Sequence, residues 1–64
     1  MKFQTGDLVV IRREYASDEQ WKKWIGLVVG YYRKSKFSDE DEWLIQWSHA
    51  TKAGVEYGYY LEVI

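Results

Sequence analysis

The fold of this chain is decided by the stretch Trp43-Leu44-Ile45-Gln46-Trp47-Ser48. Large apolar side chains at positions 43, 45 and 47 alternate with positions 44 and 46, and no Gly or Pro interrupts them, which is the period of a β-strand. The acidic run 38–42 comes before this stretch and the small, polar run 49–54 follows it, so we expect a loop before the strand and a turn after it. We predict that this is the central strand, with Trp47 buried on the same face as Ile45, beside Val28 of the second strand.

Two strands are predicted before the central one. A Gly6-Asp7 turn leads into a β-branched run over 8–13, which is typical of a strand, with Val9 and Ile11 in the core. The run 25–32 predicts the second strand. Its glycines at positions 26 and 30 indicate places where the strand bends or another backbone comes close. We expect such bends because a small closed barrel requires them.

The connection between these two strands is long and carries helix signals. Ser17 and Gln20 have the spacing of a capping box, and Gly26 stands where a helix could stop. We therefore predict a helix of one or two turns in this connection. Because so short a helix is marginal in isolation, Trp21 or Trp24 should dock it on the barrel.

The C-terminal part of the chain predicts two short strands. A turn at Ala53-Gly54 makes the central strand and a fourth strand over 55–57 a hairpin. Residues 58–61 should form a tight 3-10 turn before a fifth strand over 62–64. The predicted fold is therefore mainly all-β: a five-stranded SH3-like barrel with one short helix in the first long loop, forming a single domain over residues 1–64.

Composition limits how such a domain is stabilised. A chain of 64 residues buries only about 60% of its unfolded surface, so the four Trp, six Tyr and two Phe must supply a dense core. There is no Cys, which excludes disulfides and thiolate metal sites. We see no signal-peptide pattern and no apolar stretch near the roughly 20 residues that cross a bilayer. We expect a soluble protein without a membrane partner, as a monomer or weak homo-oligomer.

Four segments together carry a family resemblance: Gly6-Asp7-Leu8-Val9-Val10-Ile11, Ile25-Gly26-Leu27-Val28-Val29-Gly30, Leu44-Ile45-Gln46-Trp47 and Tyr60-Leu61-Glu62-Val63-Ile64. They resemble the small SH3-like barrel proteins encoded by tailed bacteriophages, cyanophages among them. Similar barrels serve as the small peripheral subunit of photosystem I and the variable subunit of ferredoxin-thioredoxin reductase, where they bind or shield a partner. The resemblance implies a phage protein that binds a host or virion protein, in the cytoplasm of the infected cell or in the virion.

The sequence offers no set of residues for catalysis. His49 is the only histidine, there is no Cys, and the carboxylates cluster in loops, so no triad, thiolate pair or His-based metal set can be assembled. The acidic run 39–42 lacks the ligand spacing and the Gly of an EF-hand loop. We predict that the protein is not an enzyme and binds neither a metal nor a cofactor.

Aromatic residues of the loops are the predicted protein-binding surface. Some of them match the peptide groove of signalling SH3 domains, although the Ala-Leu-Tyr-Asp-Tyr motif, a second Trp after Trp43 and the Pro before the final Tyr pair are missing. Six aromatics are candidates for this surface: Tyr15, Trp21, Trp24, Trp43, Tyr59 and Tyr60. At least two of them should be exposed and contiguous. The acids at 18–19 and 39–42 should form the rim of the surface and favour a partner with a basic rim. Alternatively, most of these aromatics complete a small core. The predicted residues are Tyr15, Asp18, Glu19, Trp21, Trp24, Trp43, Tyr59 and Tyr60.

A nucleic-acid-binding barrel of the SH3, KOW or Tudor type is the alternative function. Basic side chains would follow the phosphates while Tyr31, Tyr32 or Phe37 stack on bases. The net charge of −1 and the acidic loops disfavour it, so we expect that nucleic acid is not the main ligand. The basic residues in question are Arg12, Arg13, Arg33, Lys34 and Lys36.

Overall fold

The computed structural model describes residues 3–15, 24–37 and 39–64. Five strands form one antiparallel sheet. They are β1 (Leu8–Ile11), β2 (Gly26–Lys34), β3 (Asp41–Trp47), β4 (Gly54–Tyr57) and β5 (Leu61–Val63). Two 3-10 turns, Arg13–Tyr15 and Gly58–Tyr60, are the helical elements of the described residues. The predicted tight turn before the last strand is confirmed.

The strand order is β4-β3-β2-β1-β5, so β3 has neighbours on both sides but β2 holds the middle of the sheet. The prediction that the 43–48 stretch is the central strand is therefore wrong. The reason is the length of β2: its first residues pair with β1, while nearly its whole length pairs with β3. No pairing joins β4 to β5 in the part of the chain that the structure describes, so the sheet is open at these two edges.

The β2–β3 hairpin is longer than predicted. Strand β3 begins at Asp41, within the run that the sequence assigned to a loop, and β2 continues to Lys34. The register pairs Arg33 with Glu42 and Lys34 with Asp41, so opposite charges face each other across the strands. Such cross-strand pairs stabilise a sheet, which explains why charged residues extend this hairpin. The first strand, by contrast, ends at Ile11 and not at the predicted position 13, because a 3-10 turn begins at Arg13.

The core is formed by the inward faces of the strands. As predicted, Ile45 and Trp47 of β3 are buried, and Trp47 is only 6% exposed; Trp43, which was expected at the surface, points inward with them. The predicted neighbour of Trp47 is wrong, because in the register Trp47 lies opposite Gly26 and Val28 lies opposite Ile45. The buried apolar side chains of this core, which include the two predicted from β1, are Phe3, Val9, Ile11, Val28, Trp43, Ile45, Trp47 and Leu61.

The two glycines of β2 have different roles. A Cβ placed on Gly26 would collide with Cγ2 of Ile45 and lie 3.0 Å from the ring of Trp47. The close neighbours at Gly26 are therefore side chains, whereas the prediction was the approach of another backbone. Nothing lies within 4 Å of a Cβ placed on Gly30, but the register shifts between Val28 and Gly30, which is the predicted irregularity of the strand.

The predicted short helix lies mostly outside the described residues, as do Asp18, Glu19 and Trp21. Trp24 is described: it is half-buried and packs against the core. Its ring stacks on His49 at 3.9 Å and lies 6.1 Å from Trp47. Among the described residues, no helix has the length and hydropathy needed to cross a membrane.

Candidate functional site

Four tyrosines from three elements, the two 3-10 turns and β4, form one contiguous group of rings. We call them the tyrosine cluster: Tyr15, Tyr57, Tyr59 and Tyr60. The ring of Tyr15 lies edge-on to Tyr60 at 5.0 Å and to Tyr59 at 5.9 Å. Tyr57 stacks on Tyr59 at 5.6 Å, and Tyr59 lies 4.3 Å from Tyr60. Edge-on and offset arrangements at these distances are favourable for aromatic pairs.

Backbone hydrogen bonds bring the cluster together. Strand β1 pairs with β5, with Ile11 opposite Leu61. Beyond this pair, the amide of Arg12 donates to the carbonyl of Tyr60 at 2.7 Å, and the amide of Tyr15 donates to the carbonyl of Arg12 at 2.9 Å. The two 3-10 turns are therefore held side by side, and their tyrosines have to touch.

The structure confirms that Tyr15, Tyr59 and Tyr60 are contiguous. Of the predicted aromatics that the structure describes, however, only Tyr15 is exposed, at 45%; Tyr59 and Tyr60 are half-buried, so the expectation of at least two exposed aromatics is not met among these residues. The sequence pattern indicates Tyr57 only as a residue of the fourth strand, without a role in the site. The spacing of Tyr57 from the following tyrosine pair was a usable signal, because a single tight turn at Gly58 brings such residues together.

Trp43 is not part of an accessible surface. It is 1% exposed and packs edge-on against Phe3 at 5.3 Å and Tyr31 at 5.1 Å. The prediction that Trp43 presents its ring to a partner is wrong, because its position on β3 points inward with Ile45 and Trp47. Trp24 belongs to a separate group with Trp47 and His49.

Two of the acids predicted to form the rim of the surface, Asp41 and Glu42, have other contacts; Asp18 and Glu19 lie outside the described residues. The hydroxyl of Tyr31 donates to Oδ1 of Asp41 at 3.1 Å, and Nε of Arg33 donates to Oε1 of Glu42 at 3.3 Å. Burial and the contact with Asp41 raise the pKa of Tyr31. Asp41 and Glu42 thus stabilise the β2–β3 hairpin.

A pocket of about 330 Å³ opens beside the tyrosine cluster. It is lined by Ile11, Tyr15, Glu56 and Tyr60. Glu56 is half-buried, and its Oε2 accepts a hydrogen bond from Nε1 of Trp47 at 3.2 Å. The sequence pattern does not indicate Glu56 as a site residue. In the observed register it lies opposite Trp43, and this pairing across two strands is not visible in the sequence.

The hydroxyls of the tyrosine cluster interact with each other. A hydrogen bond with Tyr60 raises the pKa of Tyr59 to about 12, and desolvation and the neighbouring tyrosines add to the shift. Tyr59 is therefore a neutral hydroxyl at physiological pH. It can act as a hydrogen-bond donor or acceptor toward a ligand.

Comparison with known proteins gives no match: no family model, no curated protein and no solved structure matches this chain. Within residues 3–15, 24–37 and 39–64, no group of three or more His, Cys, Asp or Glu side chains could hold a metal ion. What these residues do provide is a pocket with two aromatic walls and one carboxylate.

The basic residues of the alternative function are distributed over two parts of the chain. Arg12 pairs with Glu14 at 3.5 Å and also donates to the carbonyl of Leu61. Arg33 pairs with Glu42 and lies 5.2 Å from the ring of Tyr32. Both arginines therefore have carboxylate partners within the protein. Arg13, Lys34 and Lys36 are exposed.

Proposed function

We propose that this protein is a non-enzymatic protein-interaction module that binds a partner protein through the tyrosine cluster. The observation that carries this proposal is the packing of Tyr15, 45% exposed, against Tyr59 and Tyr60 at the rim of a pocket. Tyrosine gives a large contact area at a low entropic cost, and it is enriched at the centres of protein interfaces. A half-exposed tyrosine group next to a pocket is therefore suited to protein recognition.

The proposed architecture is an SH3-like barrel. Three features support it: the strand order β4-β3-β2-β1-β5, the irregular register of β2, and the 3-10 turn directly before β5. In such a barrel the long first connection and the turn before the last strand supply the binding surface, and the tyrosine cluster lies there. The proposed setting, a phage protein that binds a host or virion protein in the infected cell or the virion, rests on the sequence resemblance.

The proposed surface differs from the proline-peptide groove of signalling SH3 domains. That groove needs an accessible Trp at the start of the third strand, whereas Trp43 is buried. Tyr57 takes part in the cluster and Glu56 lines the pocket. We therefore expect the ligand to be something other than a polyproline peptide.

Selection from a library of random peptides tests the proposal. Peptides selected on the native protein are then titrated against the variants Tyr15→Ala and Tyr60→Ala. Each substitution should weaken binding by about tenfold or more, the size expected for interface tyrosines. Tyr32→Ala is the matched control, because Tyr32 is 47% exposed but lies on β2 outside the cluster. Unchanged affinity in both cluster variants, or a loss only in the control, would overturn the proposal.

Nucleic-acid binding is the second candidate. Phe37 is 94% exposed, its neighbour Lys36 is exposed too, and Arg33 lies over the ring of Tyr32. Such a combination of cations and rings suits single strands. The test is a salt titration with single-stranded DNA and RNA. Sub-micromolar binding at physiological salt, with a smaller salt slope in Arg33→Ala and Lys34→Ala, would make this the first candidate.

A further inference from the structure

We propose that the pocket beside the tyrosine cluster binds a lysine or arginine side chain of the partner and that Glu56 is its counter-ion. This inference rests on the proposed function, since it names the chemical group that the same surface recognises. It adds one residue, Glu56, that neither the aromatic pattern nor the acidic loops indicated.

The lining of the pocket is mostly apolar and carries a single charge. Of the four lining residues, only Glu56 is charged; the others supply an aliphatic side chain and two phenol rings. The rings of Tyr15 and Tyr60 meet at 89° with their centroids 5.0 Å apart, so they form a corner. A long basic side chain matches this lining, because its apolar stem can lie along the rings while its charged end reaches the carboxylate.

The carboxylate of Glu56 is oriented but has no cationic partner among the described residues. Trp47 donates to Oε2 from the core side, which fixes the direction of the group. No described lysine or arginine forms an ion pair with it, in contrast to Glu14 and Glu42. A half-buried carboxylate gains most from a partner that brings a positive charge and hydrogen-bond donors, since charge-assisted hydrogen bonds are the strong ones.

Other ligand chemistries fit less well. An anionic group would be repelled by Glu56, and a neutral alkyl group would take water away from the carboxylate without replacing its hydrogen bonds, which costs free energy. A cation also gains from the electron-rich faces of Tyr15 and Tyr60. Charge complementarity therefore selects a basic side chain.

The test uses two amides that differ in charge. Nα-acetyl-lysine N-methylamide and its neutral analogue Nα-acetyl-norleucine N-methylamide are titrated into the protein, and the ring signals of Tyr15 and Tyr60 and the indole NH signal of Trp47 are followed by NMR. An arginine amide is a further arm that separates the two basic side chains. We expect the lysine or arginine amide to shift these signals and the norleucine amide not to do so.

Glu56→Gln removes the charge, while its amide oxygen can still accept the hydrogen bond from Trp47. It should weaken binding of the basic amide by about tenfold. Glu62→Gln is the matched control, because Glu62 is an exposed carboxylate on β5, opposite Val10. Its affinity should equal that of the native protein.

Three results would overturn the inference. The norleucine amide could shift the NMR signals as much as the basic amide does, or Glu56→Gln could leave the affinity for the basic amide unchanged. The third is that the basic amide causes no shift at about 10 mM, a concentration beyond the millimolar range of weak ligands. The outcomes of the peptide selection distinguish a failure of the cation site from a failure of the proposed function. If selected peptides depend on Tyr15 and Tyr60 but keep their affinity when their basic residues are replaced, the interaction surface stands and the cation site is wrong. If peptides bind without any dependence on these tyrosines, the interaction surface itself is wrong.

Discussion

Trp47 and Glu56 share a hydrogen bond that links the core to the pocket: Nε1 of the indole donates to Oε2 of the carboxylate at 3.2 Å. Trp47 is 6% exposed and packs in the core, whereas Glu56 lines the pocket with Tyr15 and Tyr60. The inward face of β3 therefore determines where the carboxylate of the pocket points.

Trp47→Ala should lower the free energy of unfolding by about 3 to 5 kcal/mol, because it removes a large buried ring and its hydrogen bond. That loss is comparable with the whole stability of a small domain. Urea denaturation followed by far-UV circular dichroism measures it. A cooperative transition near that of the native protein would contradict the packing role of Trp47.

The two glycines of β2 should respond differently to alanine. Gly26→Ala forces a methyl group against Ile45 and Trp47, and overpacking of this kind costs about 1 to 3 kcal/mol. Gly30→Ala meets nothing within 4 Å, so it should leave the midpoint of thermal unfolding unchanged or raise it slightly. Equal melting temperatures for the two variants would show that the close approach at Gly26 is unimportant.

Gly58→Ala should be destabilising through its contact with Trp43. A Cβ at Gly58 would lie 3.0 Å from Nε1 of Trp43, a buried nitrogen without a hydrogen-bond partner among the described residues. The cost, about 1 to 3 kcal/mol, should shrink in the Trp43→Phe background, because the phenyl ring lacks the crowding nitrogen. Gly54→Ala is the control, since nothing lies within 4 Å of its Cβ position. A double-mutant cycle by chemical denaturation measures the coupling, and independent effects would refute the contact.

Stability should fall at alkaline pH because of Tyr59. The folded protein raises the pKa of this hydroxyl from 10.0 to about 12, so folding favours the neutral form. The contribution is complete below pH 10 and is lost as the pH rises through 12. Tyr59→Phe should flatten this part of the stability profile, whereas Tyr32→Phe should not. Ultraviolet titration of tyrosinate together with thermal unfolding between pH 9 and about 12 tests the prediction; a Tyr59 that ionises at its ordinary pKa would contradict it.

Much of the fold could be predicted from local patterns. The alternation in 43–48 placed Trp43, Ile45 and Trp47 on one face, and that face is buried. The glycine and aromatic pattern of 58–61 predicted the tight turn before the last strand, which the structure shows as Gly58–Tyr60. Strand ends were less predictable, because cross-strand charge pairs such as Lys34 with Asp41 extend a hairpin and depend on the register.

The candidate site was predictable only in part. Tyr15, Tyr59 and Tyr60 could be placed together because their positions match the groove of signalling SH3 domains. Trp43 was misplaced, because likeness to a groove position says nothing about which face of the strand the core covers. Glu56 could not be found from neighbours in the sequence, since its hydrogen-bond partner Trp47 is on the adjacent strand.

The sequence by itself determined the strand periods, the turns and the need for an aromatic core, because these depend on residues a few positions apart. Only the tertiary structure decided which aromatics are core and which are surface. The pairing of β1 with β5 brings Tyr15 against Tyr60, and the register of β3 with β4 places Glu56 within reach of Trp47. Both contacts depend on strand pairing and register, which no local pattern specifies. The burial of one face of a strand likewise depends on what packs over that face.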